Sequence, residues 1–204
     1  EPEPEPGVGM RKAGAAYCLN TSQWDALLGF AESAQAKLVV GLNFFMNISS
    51  PQVRALLEYT ARRNSSALFG YEYGNEQIKA PQLSCMQRQA HQGADLYHTL
   101  EQLYPDPAQR PRLIGPDNGG GVSEGYVKGV AAGGAELFAY TFHQYSLSRG
   151  NSSSIPPSRL LTAKQCQGKA RGLAEAAKGL PFATVELWAG EAGGTGGGGT
   201  DGVT

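Results

Sequence analysis

Five short apolar runs alternate with stretches of helical periodicity, and this alternation narrows the fold more than any other feature. The runs are Lys37 to Phe45, Ala67 to Tyr73, Arg112 to Asp117, Glu136 to Tyr145 and Phe182 to Gly190. A helix is expected after Ser22, with Asp25 three residues on as a capping box and Trp24, Leu27, Leu28 and Ala31 on one stripe. Ser50-Pro51 opens a second helix with proline at its first position, and Val53, Leu56, Leu57 and Ala61 form its stripe. A long helix from Leu83 to Tyr104 carries Met86, Ala90, Ala94, Tyr97 and Leu100. Further helices are expected from about Val122 to Ala132, capped by Ser123, and from Leu160 to Lys178. Pro116 is expected to cut off the third strand. Strands separated by helices must be joined by crossovers, which gives a parallel sheet. An open doubly wound sheet and a (β/α)8 barrel both satisfy that pattern. In either, functional groups gather at the C-terminal ends of the strands. Those ends carry Asn43, Glu76, Asp117, His143 with Tyr145, and Glu191.

The 204 residues amount to one domain, and 41% hydrophobic residues suffice for a core. Lysine and arginine number 17 against 18 aspartates and glutamates, which excludes an overall basic nucleic-acid binder. No apolar run approaches the ~18 residues of a membrane span, so no transmembrane segment is expected. Residues 1–10 begin with alternating Glu and Pro and read as a disordered spacer, leaving residues 11–204 as the domain. Cys18, Cys85 and Cys166 are scattered without metal-ligand spacing. They are read as three buried thiols or as one disulfide and a free thiol; no metal and no cofactor are expected. Four N-x-S/T sequons, at Asn20, Asn47, Asn64 and Asn151, point to N-glycans and a secretory or lysosomal route. Glycine is abundant at 28 residues, and eight of the fifteen residues from Gly190 to Thr204 are Gly.

The sharpest chemical signal is a pair of carboxylates. Glu76 and Glu191 each follow an apolar strand directly. Two facing carboxylates, one an acid/base and one a nucleophile, are what retaining glycoside hydrolysis requires. Other patterns are weaker. Gly194 to Gly199 formally matches GxGxxG, but no amphipathic helix follows it, as a dinucleotide site needs. Gly121-Val122-Ser123-Glu124-Gly125 formally matches GxSxG, with Glu136 and His143 following in a permitted triad order, so a serine esterase through Ser123 is an alternative. Pro116 to Gly120 nonetheless separates Ser123 from the strand that a nucleophile elbow needs. His91 and His98 lie seven apart and read as surface residues of the long helix.

Several blocks, in order along residues 17 to 203, resemble glycoside hydrolase family 79, the heparanases and the plant heparanase-like enzymes. Cys18 to Asn43 resembles the family's helix and third barrel strand. GYEYGNEQ, RLIGPD, FHQY and LWAGEAGGTGGGG resemble its W-E-L-G-N-E, G-P-D, W-H-H-Y and G-E-[ST] blocks. Tyr71 and Phe142 stand where the family has Trp, and Gln144 stands for the second His. The resemblance implies an α/β fold, a partial (β/α)8 TIM barrel with approximately barrel strands three to seven. It implies Glu76 as acid/base, Glu191 as nucleophile, and Asn75 on the sugar 2-hydroxyl. His143 and Tyr145 would belong to the substrate site, and Gly197 and Gly198 would hold a uronate carboxylate through backbone N–H groups. The implied partner is a glucuronic-acid-containing polysaccharide or proteoglycan, met outside the cell, in the matrix or cell wall, or in a lysosome or vacuole. Because strands one, two and eight find no counterpart, the chain is expected to be a fragment of the full enzyme or a degenerate, non-catalytic glycan-binding relative. The NGGGVSEG segment after Gly115-Pro116-Asp117 lacks the basic run of the animal members, which favours less sulfated glucuronides.

Overall fold

The computed structural model describes residues 19–42, 50–76, 83–119, 122–147, 171–181 and 184–195. Five strands form one sheet in the order β1 (Leu38–Gly41), β2 (Leu68–Glu72), β3 (Arg112–Asn118), β4 (Ala139–Leu147), β5 (Glu186–Thr195). Each pairs in parallel with the next, so spatial order repeats sequence order. Helices α1 (Thr21–Ser33), α2 (Pro51–Arg63), α3 (Leu83–Leu103) and α4 (Glu124–Ala131) alternate with them, and residues 171–177 are helical before β5. A doubly wound sheet reverses direction at a switch point and this one does not. The architecture is a partial (β/α) barrel, as the resemblance implied; the alternation by itself had left the doubly wound sheet open.

Helix starts follow local chemistry. Ser50 and Ser123 accept the Val53 and Tyr126 N–H groups and cap α2 and α4. The first helix begins earlier than expected. Asn20, not Ser22, is its cap; Asn20 accepts from the Gln23 N–H and the Gln23 side chain returns to the Asn20 N–H. A reciprocal pair satisfies two orphan donors at once, which outcompetes the Ser22–Asp25 box. Asn64 closes α2 in the left-handed conformation, at φ 47°.

The core lies between the outer face of the sheet and the helices. Tyr71, Tyr73, Leu113 and Tyr140 from the strands meet Leu57, Leu96, Leu100, Val127 and Val130 from the helices. On α3, Ala90 and Leu100 of the expected stripe are buried and Met86 and Tyr97 pack partly buried against the core, while Gln89 and Leu96, which lie off that stripe, are fully buried. Trp24 donates its indole N–H to Thr60, tying α1 to α2. The third strand is not ended by Pro116. It continues to Asn118 because its register against β4 shifts between Gly115 and Asn118, and a residue lacking an N–H is tolerated where ladder bonds are interrupted.

Two irregularities position the functional end. The β4–β5 ladder pairs Phe142 with Ala189 but His143 with Glu191, so Gly190 is an extra residue in β5. Side chains alternate along a strand, and one inserted residue inverts the parity. Glu191 therefore lies within β5 and opposite His143 rather than in a loop beyond the strand, and the strand runs on to Thr195. Beyond β2, Gly74 at φ +87° packs its α-carbon against the Pro116 carbonyl, and the Glu76 N–H donates to the Asp117 carbonyl. The ends of β2 and β3 are thus fixed to each other.

Candidate active site

The C-terminal ends of β2 to β5 bring four carboxylates around one imidazole. His143 on β4 is 1% exposed at its side chain. Its Nδ1 lies 3.0 Å from Glu76 Oε1 and 3.3 Å from Glu191 Oε2, and its Nε2 lies 3.0 Å from Asp117 Oδ2. Glu76 and Glu191 sit above the ring, 45% and 48% exposed. Tyr145 donates its hydroxyl to Glu191 Oε2 at 2.7 Å. Two half-exposed acids thus meet over one buried imidazole.

Local backbone serves this geometry. Glu76 and Asp117 both adopt the left-handed conformation, at φ 49° and φ 47°. Such residues persist only where surrounding bonds fix them, and they cluster at functional sites. The Asp117 N–H donates to the Thr141 hydroxyl at 2.9 Å, and the Thr141 carbonyl accepts from the buried Tyr126 hydroxyl. Gly190 has a steric reason to lack a side chain: a Cβ there would stand 2.7 Å from Asp117 Oδ1.

Below the ring the site turns acidic and dry. Glu72 on β2 faces the same place; its Oε1 lies 3.7 Å from where a Gly190 Cβ would be. Burial raises the Glu72 carboxyl above its ordinary range, and the Asp117 charge adds to the rise. Burial likewise raises Asp117, partly offset by its hydrogen bond to His143. For His143 burial favours the neutral ring, but the hydrogen bonds to Glu76 and Asp117 outweigh it, and the net shift is upward. Glu191 pushes the Tyr145 hydroxyl up through their hydrogen bond.

The sign of the pH dependence follows. Glu72, Asp117 and His143, each raised, hold protons in the folded state over a pH range where the unfolded chain has released them. Stability therefore falls as pH rises, first through the carboxylate range and then from about 6.5 upward through the raised His143 value. We expect the urea midpoint to decline from pH 6 to pH 9 more steeply in the wild type than in His143→Gln; parallel declines would contradict the shift.

The sequence-derived residues are thus distributed as follows. Glu76, His143, Tyr145 and Glu191 converge, and Asn75, which is exposed, immediately precedes Glu76. Gly197, Gly198 and Asn43 lie outside the described residues. Ser123 Oγ accepts the Tyr126 N–H as the α4 cap, and both His143 ring nitrogens are occupied by carboxylates, so the triad geometry of an esterase is absent here. His91 and His98 are exposed on α3, as expected. Sequence reasoning missed Glu72 and did not single out Asp117 from the strand ends. The available signal for Glu72 was a lone charge inside an apolar strand. Glu76, His143 and Glu191 also each offer one ligand atom within 4.8 Å of the others, a spacing compatible with a cation. An ion there would have to replace the Nδ1 hydrogen bond to Glu76 and the Nδ1 contact with Glu191.

Paired acids at the C-terminal face of a partial (β/α) barrel are an arrangement that glycosidic-bond hydrolysis uses. The model of the N-terminal domain of glycosyl hydrolase family 79 matches residues 12–204, and the chain belongs to that family. The comparison with curated proteins gives no match. Among the described residues, no helix is long and apolar enough to cross a membrane.

Proposed function

We propose that this domain carries the catalytic pair of a retaining β-glucuronidase, acting on glucuronic-acid-containing polysaccharides or proteoglycans. One observation supports it above the others: the facing oxygens of Glu76 and Glu191 lie within 4.8 Å of each other, on adjoining sides of one buried histidine. Retaining enzymes hold their carboxyl groups about 5–5.5 Å apart, whereas inverting ones need about 6.5–9.5 Å to admit a water. Glu191, ionised, attacks the anomeric carbon; Glu76, protonated, gives its proton to the departing oxygen. A glycosyl ester on Glu191 results. Glu76, now ionised, takes a proton from water, and the hydroxide displaces Glu191 with a second inversion.

Other parts of the reading concern substrate. Asn75 binds the sugar 2-hydroxyl, Tyr145 orients the nucleophile it already touches, and the backbone N–H groups of Gly197 and Gly198 receive the uronate. Near-neutral charge favours glucuronides of low sulfation. We place the protein in the secretory route, with N-glycans at the sequons; of these, Asn20 and Asn64 are exposed. A mobility shift on endoglycosidase treatment of secreted material tests that placement.

The test of the mechanism is stereochemical. An aryl β-glucuronide is incubated with the protein and the first-formed anomer is read by proton NMR before mutarotation. The β-anomer is expected. First formation of the α-anomer, or no turnover of any β-glucuronide, would overturn the proposal.

A further inference from the structure

The catalytic reading gives the two glutamates their roles but leaves Asp117 without one. Asp117 is 10% exposed at its side chain, conformationally constrained, and directed at the far nitrogen of His143. Its Oδ1 is buried and meets no hydrogen-bond donor among the described residues, so the group is held here at a cost. A neutral imidazole has one N–H and one lone pair. On the hydrolytic reading Glu191 is ionised; it lies 3.3 Å from Nδ1 and Asp117 lies 3.0 Å from Nε2, so a neutral ring would aim its lone pair at one of these two acceptors. Only the imidazolium donates in both directions.

We propose that Asp117 is a positioning residue that keeps His143 doubly protonated, so that the Nδ1–H serves whichever of Glu76 and Glu191 bears the negative charge. The inference rests on the hydrolytic reading of the pair. In the free enzyme the charge lies on Glu191 and the proton on Glu76. Once Glu76 has protonated the leaving oxygen and Glu191 is esterified, the charge lies on Glu76. Nδ1 stands 3.0 Å from one acid and 3.3 Å from the other, so its hydrogen can follow the charge with little movement of the ring. The ring is fixed from behind by Asp117, which in turn is fixed by Thr141 and by the absence of a Gly190 side chain. The groups facing the ring are Glu72 and Glu76 from β2 and its end, Asp117 from β3, Tyr145 from β4 and Glu191 from β5. Apart from the neutral Tyr145 phenol these are acids, so they favour the charged ring.

The experiment is 15N NMR of the histidine-labelled protein, with the His143 signals identified by their loss in His143→Gln. We expect both ring nitrogens to be protonated at pH 7.5, and Asp117→Asn to convert the ring to a single-proton form. In parallel, Asp117→Asn is expected to lower kcat on an aryl β-glucuronide by about ten-fold or more while leaving KM within about three-fold. The alkaline limb of its kcat profile moves to lower pH, which a purely structural role for Asp117 would not produce. A neutral His143 in an active wild-type enzyme overturns the inference and leaves the hydrolase reading intact. So does an Asp117→Asn protein with unchanged nitrogen signals and pH profile. A doubly protonated ring that Asp117→Asn neutralises, in a protein without glycosidase activity, supports the Asp117–His143 assignment and overturns the hydrolase reading instead. Should Asp117→Asn fail to fold, the wild-type spectrum alone decides the charge on the ring.

Discussion

Glu191→Ala is expected to lower turnover of an aryl β-glucuronide by a factor on the order of 10^4 or more. The carboxylate that would form the glycosyl ester is gone, and the remaining groups offer no second nucleophile in its place. The loss should not come from unfolding. The Glu191 side chain is 48% exposed, and its removal takes one negative charge from an acid-rich cluster. Stability within about 1 kcal/mol of wild type is therefore expected from urea unfolding. Azide supplies a diagnostic complement. With an activated leaving group it should enter the vacated space, attack the anomeric carbon from the nucleophile's side and give the inverted glucuronyl azide. Glu76→Ala should differ: an activated aryl group departs without a proton, so the glycosyl-enzyme accumulates and azide yields product of retained configuration. Wild-type turnover in Glu191→Ala would remove Glu191 from the mechanism.

The second large effect lies in the scaffold. Gly74→Ala is expected to destabilise the protein by about 2–4 kcal/mol, read as a lowered urea midpoint. Gly74 has φ +87°, which an L side chain rarely adopts, and a Cβ there would overlap the Pro116 carbonyl oxygen. The Cβ is fixed rigidly to its own backbone and the Pro116 atoms it would meet are all backbone, so neither can turn aside. The contact joins the segments bearing Glu76 and Asp117, and activity should fall along with stability. Gly29→Ala is the control. It lies inside α1 with nothing within 4 Å of its Cβ position, so alanine should stabilise by about 0.5–1 kcal/mol. An equal response at the two positions would refute the packing argument at Gly74.

Much of this site could be read in the chain before folding. Glu76 and Glu191 stood out because each follows an apolar run, and Ser50 and Ser123 announced their helices through a hydroxyl placed three residues before an N–H it could accept. Where reading along the chain went astray, another contact was stronger than the local signal. Pro116 reads as a stop, yet a register shift in the ladder accommodates it inside β3. Ser22 reads as a cap, yet Asn20 and Gln23 satisfy each other's backbone. On α3 the covered face is wider than the expected stripe and takes in Gln89 and Leu96, because packing against the rest of the fold decides how much of a helix is covered.

Sequence alone determined what local chemistry can determine: alternating strands and helices, hence a parallel sheet, and hence a site at the strand ends with two candidate acids. Those follow from periodicity and from the steric rules of short segments. Tertiary structure decided what depends on register. His143 and Glu76 are 67 residues apart, and His143 and Asp117 are 26 apart. No pattern along the chain specifies that one ring shall lie between them. One inserted glycine in β5 turns Glu191 toward that ring, and one residue more or less would turn it away. Glu72 entered the site the same way, as the strand residue whose parity faces Asp117 and not the helices. The charge on the imidazole is settled only when all these acids are placed, because it is the sum of their fields, and a sum over neighbours has no counterpart in any single stretch of sequence.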